Sequence, residues 1–494
     1  MTVRRWLAAI LLVTVLGRIA FILLFDHTLS LQTSGYDTYA VNVIEGRGYT
    51  RFDDRSGDSD LPPLYPFFLI GVYKTLGRDP IAVAVVQIGL DALTVLLLFW
   101  IGRRVVGEAV GLLAAAFYGA YPYLLYQNLT LNDTGLFIFL LTAGIAAAYR
   151  ARDTRDPRWA AALGVAFGLG ALTKTLIVLI LPLLALWWWR ALGLRRAVIL
   201  SAASGIALAL VIAPWTVRNT RLHGELVLIS TNAGSNLHQG NNACVADYLS
   251  RGWDAQWVNC IERAPAGLSE TAADRWHRQQ ALTYLREHPA AWPRLFWTKF
   301  WVLWSPVIMP YDLPPDPYLV DDAVLQFEST AFQIARVVHA LYFTPLLALG
   351  ILGLLLSWRD RREVWPLVAV FVAITLTYLI FHPSTRYRSP ADPFVFILAG
   401  YALVRLRASL VRRVGLPLPD EVSGADKSGR NIKMDLLRLT SPPASLRSAC
   451  PLSSMESGPR GASALSGGEV KLRTALGNRH SHRLSAPESA EVTR

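Results

Sequence analysis

The chain has 494 residues, 53% of them hydrophobic and only 17% charged, with a net charge of +12. A soluble chain would carry roughly 25% charged residues, and the apolar excess is gathered into runs, which excludes a soluble enzyme. Nor is the positive charge a nucleic-acid footprint: residues 405–494 supply +7 of it (fifteen basic less eight acidic), and short loops between apolar runs supply most of the rest.

The first run, Trp6 to Phe25, follows Arg4 and Arg5. It exceeds the ~7–15 residues of a signal-peptide core and lacks a clean small-residue cleavage site, so it reads as a retained span. Further spans are predicted near 80–101, 109–127, 132–149, 159–173, 175–189, 197–215, 336–357, 364–381 and 390–404. The pair at 159–189 is one apolar stretch broken at Thr173-Lys174-Thr175. A lysine at mid-bilayer is costly, so that break reads as a tight outside turn.

With the N-terminus cytoplasmic, every arginine-rich short loop falls on one side: Arg103-Arg104, Arg150 to Arg158, Arg190 to Arg196, Arg359 to Arg362, and Arg405 onward. That is the positive-inside pattern. Residues 26–61 hold the opposite balance, seven acids against three bases. The fold class expected is therefore an all-α integral membrane protein of about ten transmembrane helices, spanning residues 1–410. It carries a long first outside loop (26–79) and a large outside segment (216–335). Trp276, Trp292, Trp297, Trp301 and Trp304 in that segment suit helices lying at the headgroup level. Residues 415–494, rich in Ser, Gly, Pro, Ala and Arg without apolar period, read as a disordered cytoplasmic tail. Cys244 and Cys260 share the outside segment, where a disulfide is chemically permitted and two free thiols are equally consistent.

Sorting polar groups by side leaves candidates at the outside ends of spans. Asp37 lies between Tyr36 and Tyr39; held against a membrane surface it could act as a general base, although a lone loop acid is more often simply solvated. Asp133, beside Asn132, opens the fourth span, where capping of the helix is the plain alternative. Two such carboxylates leave a divalent metal open, with no cofactor required. Lys174, Arg218, Arg386 and Arg388 stand against the outside charge bias. Arginine forks match phosphate oxygens, whereas snorkelling toward headgroups is the alternative for any single one. Asp91 and Gln87, one turn apart within the second span, read as a helix–helix hydrogen bond.

Taken in order, the motifs resemble the bacterial branch of the membrane-embedded C-type (GT-C) glycosyltransferases, relatives of protein O-mannosyltransferases and of lipid A aminoarabinose transferase. They are YDTYAVNVIEGRGY (36–49), PPLYPFFLIGVY (62–73), Asn132-Asp133, GLGALTK (168–174), APWTVRN (213–219), ISTNAGSNLHQGNN (229–242) and RYRSPADPFVFILAGYAL (386–403). The resemblance implies inverting transfer from a polyprenyl-phosphate sugar to a lipid, glycan or protein acceptor, at the outer face of a bacterial inner membrane. It implies Asp37 as the acid that activates the acceptor and Asp133 as a second catalytic acid. Lys174, Arg218, Arg386 and Tyr387 would then hold the carrier phosphate, and Tyr36, Tyr39, Asn241 and Asn242 would line the pocket. Two positions depart from relatives: Leu61 stands where aminoarabinose transferases carry Lys, and Thr38 follows Asp37 where protein mannosyltransferases carry Glu. The rival class is a lipid-linked sugar flippase. A repeat-type transporter would show two corresponding halves with broken helices, and this chain shows one large asymmetric segment instead.

Overall fold

A computed structural model describes residues 2–25, 29, 35–52, 57–251, 261–308, 329–357 and 361–413. Backbone in hydrocarbon must satisfy its polar groups internally, and the apolar runs are accordingly helices. They begin with α1 (Val3–Leu24), the short α2 (Tyr36–Ile44), α3 (Leu64–Leu76) and α4 (Pro80–Val105). Asp79 starts α4 by accepting from the Ile81 amide at 2.9 Å, with Pro80 in the first turn. Then come α5 (Glu108–Gly119) and α6 (Pro122–Leu129), which bend by 45° at their junction, α7 (Thr134–Thr154) and α8 (Pro157–Ala171). A 3-10 turn (Thr175–Leu179) leads into α9 (Ile180–Leu192), followed by α10 (Leu194–His223). Four helices that fail the length and composition test for crossing follow: α11 (Ala233–Gly240), α12 (Ala243–Ser250), α13 (Glu270–Glu287) and α14 (Trp292–Trp304). The chain closes with α15 (Thr330–Leu356), α16 (Arg361–Ile380), the single turn α17 (Thr385–Arg388) and α18 (Asp392–Arg413).

Among the described residues no strand occurs, and eight helices are long and apolar enough to cross a membrane, nine with the bent pair α5–α6. The all-α polytopic class holds. The span expected at 159–173 does not meet the same test. Its place is taken by the fifteen-residue α8, ~22 Å long against ~30 Å of hydrocarbon. Helix α8 is gripped between α7 and α10. A Cβ on Gly164 would fall 2.2 Å from the Ser204 carbonyl, and one on Gly168 2.7 Å from Val211 Cβ. Small residues thus let two backbones meet, as is common between membrane helices.

Two polar clusters fasten the bundle. Within the apolar core Arg18 pairs with Asp91 at 3.0 Å, and Tyr118 (2.6 Å) and Asn128 (3.0 Å) also donate to that carboxylate. Asp91 is therefore an ion-pair partner rather than a simple helix–helix hydrogen bond, while Gln87 does bond across helices, to Tyr65 and the Asn132 carbonyl. At the arginine-rich end Arg104 and Arg152 both reach Glu363 at 2.6 Å, tying α4 and α7 to α16. The other end of α7 carries Asp133. On α14, Trp297 and Trp301 stay 61% and 50% exposed. Cys244 is disulfide-bonded; Cys260 and the tail 415–494 lie outside the described residues.

Candidate active site

The short α8 brings Lys174 back to the start of α7. Its ammonium sits 2.7 Å from one Asp133 oxygen, and Arg386 of α17 sits 2.6 Å from the other. Capping and charge pairing are divided between neighbours: Asn132 Oδ1 accepts from the Thr134 amide at 2.9 Å, whereas Asp133 makes no cap hydrogen bond. Asp133 is buried, which raises its pKa, but the charges of Lys174 and then Arg386 outweigh burial and hold the carboxyl below the usual carboxylate range. Burial pulls the Lys174 ammonium down against the pull of Asp133. It also pushes the neighbouring Tyr36 hydroxyl up, so Tyr36 is neutral at ordinary pH.

The loop after α16 places the second cation. Ser384 Oγ caps α17 by accepting from the Arg386 amide at 3.2 Å. Two residues on, Arg388 faces elsewhere: it is fully buried, 3.1 Å from Asp392, which also accepts from Tyr121 at 2.7 Å. The sequence presents RYR as one basic cluster; the fold makes one arginine a site cation and the other an anchor. Between them Tyr387 lies 5.4 Å beneath the Lys174 ammonium and stacks on Tyr378 at 4.8 Å.

These groups line a cavity of about 820 Å³. Its floor is Tyr36, Asp133, Lys174, Arg386 and Tyr387, and Leu208, Ile212, Leu226 and Leu228 form an apolar wall. Asn232, Asn236, Asp274 and the exposed Arg275 and Arg278 form a polar wall.

The other expected site residues lie outside this cavity. Asp37 is buried, 3.0 Å from Arg78 Nε and accepting from the Tyr73 hydroxyl at 2.8 Å. Tyr39 donates to Asp58 at 2.5 Å. Arg218 is 3.0 Å from Ser59 Oγ and stacks on Trp215 at 4.7 Å, contacts that join α10 to the first loop. Asn242 caps α12, and Asn241 accepts from Lys299 at 2.9 Å while donating to the Ile380 carbonyl at 2.8 Å. The same motif contributes Asn232 and Asn236 to the cavity instead. Tyr378 and His382, which also line the cavity, border an apolar run and gave no signal in the sequence. Both oxygens of Asp133 and of Asp37 are engaged, and no group of three or more His, Cys, Asp or Glu converges among the described residues. Among the described residues these groups do not fit a divalent metal.

Fold and site together define a polytopic, all-α membrane protein with a cation pair at the floor of a half-apolar cavity. The resemblance drawn from its motifs is borne out by a family model, dolichyl-phosphate-mannose-protein mannosyltransferase, which matches residues 60–216. That stretch includes Asn132-Asp133 and GLGALTK. Among solved structures the chain is similar to the apo oligosaccharyltransferase of Archaeoglobus fulgidus, with TM-score 0.49 and 13% identity over 83% of this chain and 52% of that one. It is also similar to the oligosaccharyltransferase AglB from Archaeoglobus fulgidus in complex with an inhibitory peptide and a dolichol-phosphate, with TM-score 0.48 and 13% identity over 84% and 53%. The chain thus spans about half the length of the solved chains it resembles. No curated protein matches significantly.

Proposed function

We propose that this chain is a glycosyltransferase that takes a sugar from a polyprenyl-phosphate carrier and transfers it, with inversion, to an acceptor at the outer face of a membrane. The observation that carries this reading is Asp133 between Lys174 and Arg386. One carboxylate between two cations leaves one surplus positive charge, the complement of a single phosphodiester. The apolar wall of Leu208, Ile212, Leu226 and Leu228 suits an isoprenoid chain, and the polar wall suits a hydroxylated acceptor. Arg104 and Arg152 lie with Glu363 at the end of α7 opposite Asp133, which supports the outward placement.

In this mechanism the bond from the anomeric carbon to the phosphate oxygen breaks, and the departing phosphate takes the electron pair. Lys174 and Arg386 stabilise that growing charge more in the transition state than in the ground state. The acceptor oxygen attacks from the opposite face, and its proton passes to water at the open polar rim. Asp133 serves by holding both cations in place and ionised, not by taking the proton.

The test is sugar transfer in reconstituted membranes from a panel of radiolabelled undecaprenyl-phosphate sugars, with native lipid extract as acceptor. Lys174→Gln and Arg386→Gln should each lower transfer by about 10²–10³-fold, the scale of losing one charge-stabilising donor. Asp37→Asn should keep transfer per folded molecule within about threefold, as an anchor outside the cavity requires. Movement of the labelled lipid between leaflets with no transfer would replace this reading with that of a flippase.

A further inference from the structure

The two cations of the site are not equally secure. Asp133 is the acid they share, 2.7 Å from Lys174 and 2.6 Å from Arg386. A guanidinium keeps its proton in any protein setting, whereas a buried ammonium gives its proton up readily. Burial draws the Lys174 pKa down; Asp133 opposes that pull, and Arg386 adds to it by repulsion. The groups that face the ammonium are Asp133 on α7 and, on α17, Arg386 and Tyr387, whose ring centroid lies 5.4 Å from Nζ. That is within the ~6 Å over which the negative face of an aromatic ring attracts a cation.

The ring is pinned. Tyr378 stacks on it at 4.8 Å with the two planes 7° apart, and His382 packs edge-on at 5.2 Å. Both neighbours are themselves buried. The backbone beneath is held by the α17 turn, in which the Tyr387 amide donates to the Ser384 carbonyl at 3.0 Å. A dipole fixed in this way needs no reorganisation when charge arrives beside it.

We propose that Tyr387 is a positioning residue that acts through its ring rather than its hydroxyl, the π face keeping the Lys174 ammonium charged and in place for the carrier phosphate. This rests on the transferase reading and deepens it: two cations meet the phosphate, and Tyr387 acts through one of them. An ammonium that loses the ring is easier to deprotonate, so phosphate binding then weakens from a lower pH upward. Arg386, which does not titrate, is spared.

The experiment measures dissociation constants of bare undecaprenyl phosphate for the purified full chain in nanodiscs. The range is about pH 7.5 to pH 10, where a phosphomonoester is already fully ionised, its second pKa being about 6. The pH at which binding starts to weaken therefore reports a cation of the protein. Tyr387→Phe keeps the ring and Tyr387→Leu removes it. The onset of weakening should fall by about one pH unit in Tyr387→Leu relative to Tyr387→Phe, the scale of one desolvated cation–π contact. In the Lys174→Arg background the onset should vanish from both. No difference in onset between the two variants, or an onset that persists in Lys174→Arg, would overturn the role of the ring and leave the transferase reading intact. Failure of wild type to bind the lipid at any pH would remove both. If Tyr387→Leu does not fold, phenylalanines with one, two and three ring fluorines in place of Tyr387 decide, since fluorine drains the negative face at nearly constant shape. A stepwise fall in the onset supports the proposal, and indifference to fluorination overturns it.

Discussion

Asp133 shows how little a residue's local role says about its use. Its position at the start of α7 is that of a cap, yet Asn132 makes the cap bond and leaves Asp133 free to receive Lys174 and Arg386. Replacing it with Asn would strand two cations, of which Lys174 is 11% and Arg386 14% exposed at the side chain. Such a loss costs on the order of 3 kcal/mol for a buried pair, less here because both retain some contact with solvent. Asp133→Asn should therefore lower the thermal midpoint, and undecaprenyl phosphate should raise it by more than in wild type, since the ligand replaces the missing anion. The pH sign follows from the depressed carboxyl. Asp133 contributes stability above about pH 4, the unfolded carboxylate value, which is lost as pH falls toward the lower folded value. Wild type should lose midpoint below about pH 4 relative to the variant; parallel curves would remove Asp133 from the charge balance. This residue was legible in the sequence through its place at a span end. Its partners were legible as types but not as pairs. Nothing in a string tells Arg386 from Arg388, two positions apart, until Asp133 and Asp392 are known to lie on different sides of the loop.

At the scale of elements, the site depends on how the loop after α16 is held. Lys299 of α14 is fully buried and donates to Asn241 Oδ1 (2.9 Å) and to the carbonyls of Leu379 (3.1 Å) and Ile380 (3.2 Å). It thereby closes the C-terminus of α16, where helix carbonyls lack partners. Gly240 presses against the next residue, so that a Cβ would fall 2.2 Å from the Phe381 carbonyl. Two segments that do not cross the membrane thus fix the start of the loop that carries His382 and Arg386. Burial pushes the Lys299 pKa down to about 7. Between about pH 7 and pH 10 the unfolded chain then binds a proton that the folded chain does not, so stability rises with pH across that window. The thermal midpoint of wild type should climb from pH 7 to pH 10 relative to Lys299→Met, and a flat difference would show the lysine charged throughout. The apolar runs made the crossing helices readable from periodicity and length alone. Helix α8 was readable as an apolar run, but not its fifteen-residue length. Its length is set by the glycines that seat it against α10 and by the need to return Lys174 to Asp133, and neither has a local signal.

For the molecule as a whole, a cavity with surplus positive charge has a kinetic consequence. In the proposed reaction the carrier would arrive as a phosphodiester with one negative charge and leave, once its sugar is gone, as a phosphomonoester with about −1.5 to −2 at neutral pH. The same pair proposed to stabilise departure, Lys174 and Arg386, would then grip the spent carrier harder than the loaded one. Turnover should then be governed by release into the bilayer rather than by bond cleavage, as in many enzymes whose chemistry is well served. Rapid-quench measurement with excess donor should show a burst of about one sugar per protein molecule before a slower steady state, as accumulation of a product-bound complex implies. A linear time course from the first turnover would place the slow step at or before transfer. With such a burst, any neighbouring activity that clears the used lipid would set the pace of this one without touching its catalytic groups.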